Sequence, residues 1–274
     1  MKKAMKVISG VLAAATVCAF TACGKEQTDS EYVKEKNVLR VGITVYEPMD
    51  YYNEDETDFI GFDADLAKGF AEELGVKVKF VLITWANKVT ELKAKEIDCI
   101  WNGMTATEEL AQSIDLSVSY ATNMQCVVVK ADNVSSFDTV DEVKNANKIA
   151  VENGSAGNKV CETTLGFGEN STKVAAVTAQ VDALTEVKAG TSDVAIIDYT
   201  MAYSVVGKGD YADLAIVDTT KVSFDQEEFA IGFRKGSDLT AKANEYLKKC
   251  YSDGTMTALL AKYKGVALND AKLK

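Results

Sequence analysis

The sequence predicts an α/β protein built from two open, mostly parallel sheets flanked by helices. Three observations point there. Strand-like apolar runs alternate with amphipathic helical segments, as βαβ units require. The alternation starts afresh near residue 138, so one build is used twice. At 274 residues, with 47% apolar and 26% charged side chains, the chain can bury one large or two ordinary cores.

In order along the chain, residues 38–43 read as a strand. Residues 63–74 read as a helix, with Asp63 at the N-cap, a stripe of Leu66, Ala67, Phe70 and Leu74, and Gly75 as the stop. Residues 76–83 alternate as a strand, 89–95 make a short helix and 97–101 a buried strand. Thr107 caps a further turn of helix, and the apolar run 124–130 is a strand. The second round runs helix 138–145, strand 148–151, and a helix opened by Gly154, Ser155, Ala156 and Gly157. Helix 179–188 follows, then strand 193–197, helix 199–206 and strands at 214–217 and 229–233. Amphipathic helices at 239–251 and 255–263 close the chain.

The first residues read as an address rather than structure. Lys2, Lys3 and Lys6 precede a short apolar run that ends in Phe20, Thr21, Ala22 and Cys23. That is the layout of a secretory signal peptide over residues 1–22. Small residues before a cysteine resemble a bacterial lipobox, with Phe20 where Leu is usual; Cys23 would then carry lipid. An ordinary cleaved signal with an incidental cysteine is the alternative. Losing residues 1–22 removes three lysines and no acid, taking the net charge from −11 to −14. Residues 23–36 are polar and without periodicity, and read as a flexible tether after the lipidated cysteine. Cys99, Cys126, Cys161 and Cys250 form no CxxC pair. Their apolar surroundings favour buried thiols, although export permits disulfides.

Composition excludes several function classes. The acidic balance disfavours nucleic acid and anionic membrane as partners. Histidine is absent, which removes His bases and His-ligated metals. There is no G-x-S-x-G and no GK[ST] loop, and no cofactor or metal site is expected. Ligands of open α/β sheets sit beyond the carboxyl ends of strands, so the loops there are the candidates. Tyr46 follows the first strand. Trp85 and Lys88 follow the strand ending at Ile83. Asn102, Gly103, Met104 and Thr105 lead into the helix capped by Thr107, with Gly103 admitting close approach and Asn102 and Thr105 offering donors and acceptors. Gly154, Ser155 and Ala156 offer free N–H groups at a helix start. Asp198 ends a strand and faces a cation or caps the next helix.

Taken in order, Leu39-Arg40-Val41-Gly42, Gly61-Phe62-Asp63-Ala64-Asp65-Leu66-Ala67, Leu74-Gly75-Val76-Lys77-Val78, Leu92-Lys93-Ala94-Lys95-Glu96-Ile97-Asp98, Asn102-Gly103-Met104-Thr105 and Asp253-Gly254-Thr255 resemble the family 3 extracellular solute-binding proteins, the polar amino-acid-binding lipoproteins of ABC importers. The resemblance runs from about residue 38 to 265. It implies a two-lobe, type II periplasmic-binding-protein-like fold with two hinge-linked mixed sheets. Lobe 1 would be residues 37–122 and 226–274, and lobe 2 residues 123–225. It further implies a monomer that closes over an amino-acid-like solute and docks on membrane permease subunits, without enzymatic turnover. By the same resemblance, Tyr46 lines the pocket and the loop from Trp85 to Lys88 packs on the solute. The loop from Asn102 to Thr105, with the Gly154 to Ala156 amides, would hold a carboxylate, and Asp198 an ammonium.

The chain departs from the family at one position. An Arg that clamps the carboxylate is expected where Leu110 stands. Arg40 lies within the first strand and Arg234 follows a late one, so neither replaces it. Lys88 is the candidate substitute, or else a solvent-facing helix lysine. If no cation replaces the Arg, the solute is an amide, a modified amino acid or a short peptide. A lyase on the same fold, similar to cyclohexadienyl dehydratase and using Glu47 or Glu91 as its acid, is one rival reading. A sensory binding protein is the other.

Overall fold

The computed structural model describes residues 27–168 and 171–274. The expected signal peptide over residues 1–22 and the expected lipid site at Cys23 lie outside the described residues. The chain opens with helix α1 (Asp29–Lys36), then β1 (Val38–Ile43) and a small hairpin of β2 (Tyr51–Tyr52) and β3 (Phe59–Ile60). Helix α2 (Phe62–Leu74), β4 (Lys77–Leu82), α3 (Lys88–Lys93), β5 (Cys99–Ile100), α4 (Glu108–Ser113) and β6 (Asp115–Leu116) follow. The long β7 (Ala121–Lys130) leads to α5 (Val140–Asn145), β8 (Ile149–Glu152), α6 (Ala156–Thr163), β9 (Val174–Val177) and α7 (Gln180–Ala189). Then come β10 (Val194–Asp198), α8 (Tyr199–Val205), β11 (Leu214–Ile216), β12 (Gln226–Phe229) and β13 (Gly232–Phe233). Helices α9 (Leu239–Ser252) and α10 (Thr255–Lys262), strand β14 (Ala267–Leu268) and α11 (Asp270–Leu273) end the chain.

Two mixed sheets make two lobes. Lobe 1 carries β4-β1-β5-β13-β6, with β1 parallel to β4 and β5 and β13 antiparallel. Lobe 2 carries β11-β7-β10-β8-β9, parallel from β10 to β9 and antiparallel at β7. Strand β7 crosses between them. Its first residues pair with β12 and β14, and its last with β10 and β11. The apolar run 229–233, expected as one strand, is therefore two. Phe229 ends β12 beside β7, and Gly232 begins β13 beside Ile100 of lobe 1. The run is uniformly apolar because it is buried on both sides of the crossing, which hides the break.

The segment expected as a flexible tether is different. Residues 29–36 are the helix α1, held by a capping box in which Thr28 Oγ1 accepts from Glu31 N–H and Glu31 returns a bond to Thr28 N–H at 3.0 Å. The helix is docked: Val33 is fully buried, Ser30 N–H donates to Asp238 at 2.9 Å, and Asp29 meets Arg234 at 3.0 Å. Only Tyr32 and Val33, side by side, are apolar among the eight residues, which gives no stripe, so periodicity could not flag it. Asp63, expected as the cap of α2, sits inside the first turn instead and is fully buried, with Gly61 at the N-cap. All four cysteines from Cys99 onward are buried and unpaired. No helix among the described residues is long and apolar enough to cross a membrane.

Candidate functional site

The carboxyl ends of both sheets face one cavity of about 660 Å³ between the lobes. The strand-end rule placed eleven of the twelve predicted residues and the family resemblance placed Leu110, and all twelve line it: Tyr46, Trp85, Lys88, Asn102, Gly103, Met104, Thr105 and Leu110 from lobe 1, and Gly154, Ser155, Ala156 and Asp198 from lobe 2.

On the lobe 1 side, the chain after β1 turns at Thr44 and buries Tyr46, whose hydroxyl has no partner among the described residues. Asn102 does not offer its amide to the cavity, contrary to expectation. Its Oδ1 accepts from Thr44 N–H at 3.0 Å and Thr44 Oγ1 at 2.8 Å, and its Nδ2 donates to Thr44 O and Asp50. It is a brace for the β1 turn. Gly103 has a φ of 55°, and a Cβ there would lie 2.7 Å from the Tyr46 ring, so only glycine fits. Its N–H donates at 2.7 Å to the buried Asp63, which also accepts from Tyr120 Oη. Thr105 Oγ1 donates at 3.0 Å to Glu227 of β12.

Lys88 is not a solvent-facing lysine. It is 8% exposed, with Nζ 4.7 Å over the Trp85 ring, and it donates to Trp85 O at 3.3 Å and, across the cleft, to Gly154 O at 3.1 Å. Burial lowers its pKa to about 8, partly opposed by Glu152 and Glu109. Leu110, at the position of the expected cation, packs against the cluster containing Trp85, Leu92 and Met104. That wall is apolar.

On the lobe 2 side, Ser155 caps α6 by accepting from Asn158 N–H at 3.1 Å. Gly154 has a φ of 70°, and a Cβ there would press on Ala86 of lobe 1 at 3.1 Å. The two lobes touch at this glycine, and again where Ser204 Oγ donates to Glu47 at 2.9 Å. Glu47 is thus engaged at the lobe boundary, and neither it nor Glu91 lines the cavity.

Asp198 is the most elaborately held group. Asn123, Gln125 and Gln180 donate side-chain amides to its carboxylate. Its own N–H donates to Gln180 Oε1 at 2.9 Å. Asn123 and Gln125 each also donate to Glu227 Oε2 at 3.1 Å. Two carboxylates therefore share two amides. Burial first, and then Glu227, pushes the Asp198 carboxyl up to about 7, against the pull of the three amides. Neighbouring β8 ends in Glu152, which also lines the cavity and is 2% exposed. Sequence reasoning missed Glu152, Gln180, Asn123, Gln125 and Glu227. Glu152 was findable, since it ends a strand immediately before the Gly154 turn. The others depend on the registers of β7 and β12 and on where α7 begins.

Over residues 39–266 the chain matches the bacterial extracellular solute-binding proteins, family 3. It belongs to that family. Among curated relatives, it is 29% identical over 257 residues to the arginine-binding extracellular protein ArtP of Bacillus subtilis (strain 168), covering 92% of this chain and 95% of that protein. Among solved structures, an amino acid ABC transporter substrate-binding protein of Streptococcus pneumoniae bound to L-arginine superposes with a TM-score of 0.78 at 26% identity, covering 88% of this chain and all of that one. The cyclohexadienyl dehydratase of Pseudomonas aeruginosa is 24% identical over 160 residues, 58% of this chain and 59% of that enzyme. As a family 3 member, this chain is an extracellular solute-binding protein with the two-lobe fold its sheets display.

Proposed function

We propose that this solute-binding protein captures a small amino-acid-like solute between its lobes and delivers it unaltered to an ABC importer. The observation that carries the reading is the placement of Asp198 and the Ser155 helix start on one wall of a shared cavity, with Lys88 and the Tyr46 turn on the other. Asp198 would take the solute's ammonium. Lys88 and the first amides of α6 would take a carboxylate, in place of the Arg that Leu110 displaces. A solute touching both walls favours the closed arrangement, so binding shifts the population toward closure. The relatives named for arginine support an amino-acid solute. A thermal-shift screen of the purified protein against amino acids, amides and dipeptides tests this. At least one amino acid is expected to raise the melting temperature by several degrees and be recovered unchanged. Product formed from prephenate or arogenate would replace the transport reading with the lyase one.

We further infer anchoring through Cys23, because a basic start, a short apolar run and small residues precede it. Cys23→Ser is expected to move the protein from the membrane fraction to the soluble fraction. Retention in the membrane would refute a lipid at that position.

A further inference from the structure

Glu152 lies at the carboxyl end of β8, next to β10 with its Asp198. It is 2% exposed, lines the cavity, and its Oε1 has no hydrogen-bond partner among the described residues. A buried carboxylate without a donor is costly, on the order of 1–3 kcal/mol or more for an unmade bond. Lys88 faces it from lobe 1, but donates to two carbonyl oxygens and forms no ion pair with it. Glu152 Oε1 is therefore an acceptor that no described residue answers inside the cavity.

The charge of the cavity wall points the same way. Glu109, Glu152, Glu162 and Asp198 line it, against Lys88 and Lys159. Lys159 and Glu162 pair with each other at 3.2 Å. Glu109, Glu152 and Asp198 then stand against Lys88 alone. Burial, and then Asp198, raises the Glu152 carboxyl to about 8, so a cation beside it is what would hold it ionised near neutral pH. A zwitterion is neutral and leaves this imbalance untouched. Its one ammonium goes to Asp198, and Glu152 stays bare. A solute with a second nitrogen cation answers both the orphaned oxygen and the excess of acid.

We propose that Glu152 selects for a positively charged side group on the solute, so that the protein takes cationic amino acids in preference to neutral ones of the same shape. This rests on the amino-acid reading above. L-Norleucine is L-lysine without its terminal ammonium, so the two separate side-group recognition from recognition of the amino-acid head. Calorimetric titration of the purified protein with L-lysine, L-arginine and L-norleucine is expected to show at least one cationic probe binding at least tenfold more tightly than L-norleucine. Glu152→Gln, which keeps the shape, should cut affinity for that probe at least tenfold while leaving L-norleucine within twofold. Glu152→Asp should keep part of the preference, and circular dichroism melts would show both variants folded. Equal weakening of cationic and neutral probes, or an unchanged preference in Glu152→Gln, would overturn the assignment while leaving the amino-acid reading standing. No binding of any of the three, with no amino acid active in the thermal screen, would remove that reading and this one together.

Discussion

Asp198→Ala is expected to weaken binding of any ammonium-bearing solute by two orders of magnitude or more, measured by calorimetry at pH 7.5. Truncating one partner of a buried charge pair costs about 2–5 kcal/mol, which is roughly thirtyfold to several thousandfold in affinity. The upper part of that range applies because three side-chain amides are aimed at this carboxylate. Without it, Asn123, Gln125 and Gln180 point donors at an empty space, and the ammonium meets amide hydrogens instead of an anion. The same group sets a pH dependence. Burial and the nearby Glu227 raise the carboxyl to about 7, so protons compete with the solute in the neutral range. Only the ionised form holds an ammonium. Affinity therefore falls as pH drops through about 7, by roughly ten- to thirtyfold between pH 7.5 and 5.5. With L-norleucine as the solute, which makes no contact that depends on the Glu152 charge, the dependence should vanish in Asp198→Asn, whose residual affinity stays level across that range. Wild-type affinity that is flat with pH, or an Asp198→Ala protein that binds normally, would take Asp198 out of the solute's contacts.

Eleven of the residues lining the cavity were legible because one rule covers them: in open α/β sheets, chemistry gathers beyond the carboxyl ends of strands. Tyr46, Trp85, Asn102, Gly154 and Asp198 each follow a strand recognisable from its apolar run, so their convergence needed no knowledge of distances. What each side chain does was less legible. Asn102 is as polar as any cleft residue, yet its four hydrogen-bonding positions are occupied by Thr44 and Asp50. That depends on the depth of the β1 turn, a tertiary fact. Glu227 was invisible because β12 lies over 100 residues from its partner β7. Only the register Glu227↔Asn123 brings it to the Asp198 amides. The break between β12 and β13 was hidden for a related reason. Burial on both sides erases the alternation by which a strand's end is recognised. Helix α1 shows the opposite case, where the local signal existed. The Thr28–Glu31 capping box is plain in the sequence, but a polar segment that follows an expected leader invites reading as tether.

Asp98→Ala is expected to lower the melting temperature by about 10 °C while leaving solute affinity within about threefold at a temperature where the variant is folded. Asp98 is fully buried just before β5. Its Oδ2 accepts from Arg40 N–H and Nε, both at 2.9 Å, and its Oδ1 from Arg40 Nη2 at 2.8 Å and Arg234 Nη2 at 3.3 Å. Arg234 in turn reaches Asp29 of α1 and donates to the carbonyls of Leu92 and Ile97. One carboxylate thus ties together α1, β1, the segment between α3 and β5, and the chain after β13. Breaking a buried pair by removing one partner costs about 3–5 kcal/mol, since the remaining charges are left without an acceptor. At roughly 2–4 °C per kcal/mol for a chain of this size, that is the expected drop. Affinity is spared because Asp98 precedes β5, at the opposite end of the strand from the Asn102 loop and the cavity. The sequence has only Arg40 and Arg234. Both guanidinium groups stay on this clamp, so neither reaches the cleft, where Lys88 and the start of α6 line the cavity. A melting temperature within 2 °C of wild type would show that the clamp carries little of lobe 1's stability. A large loss of solute affinity in the folded variant would show that it also shapes the cleft.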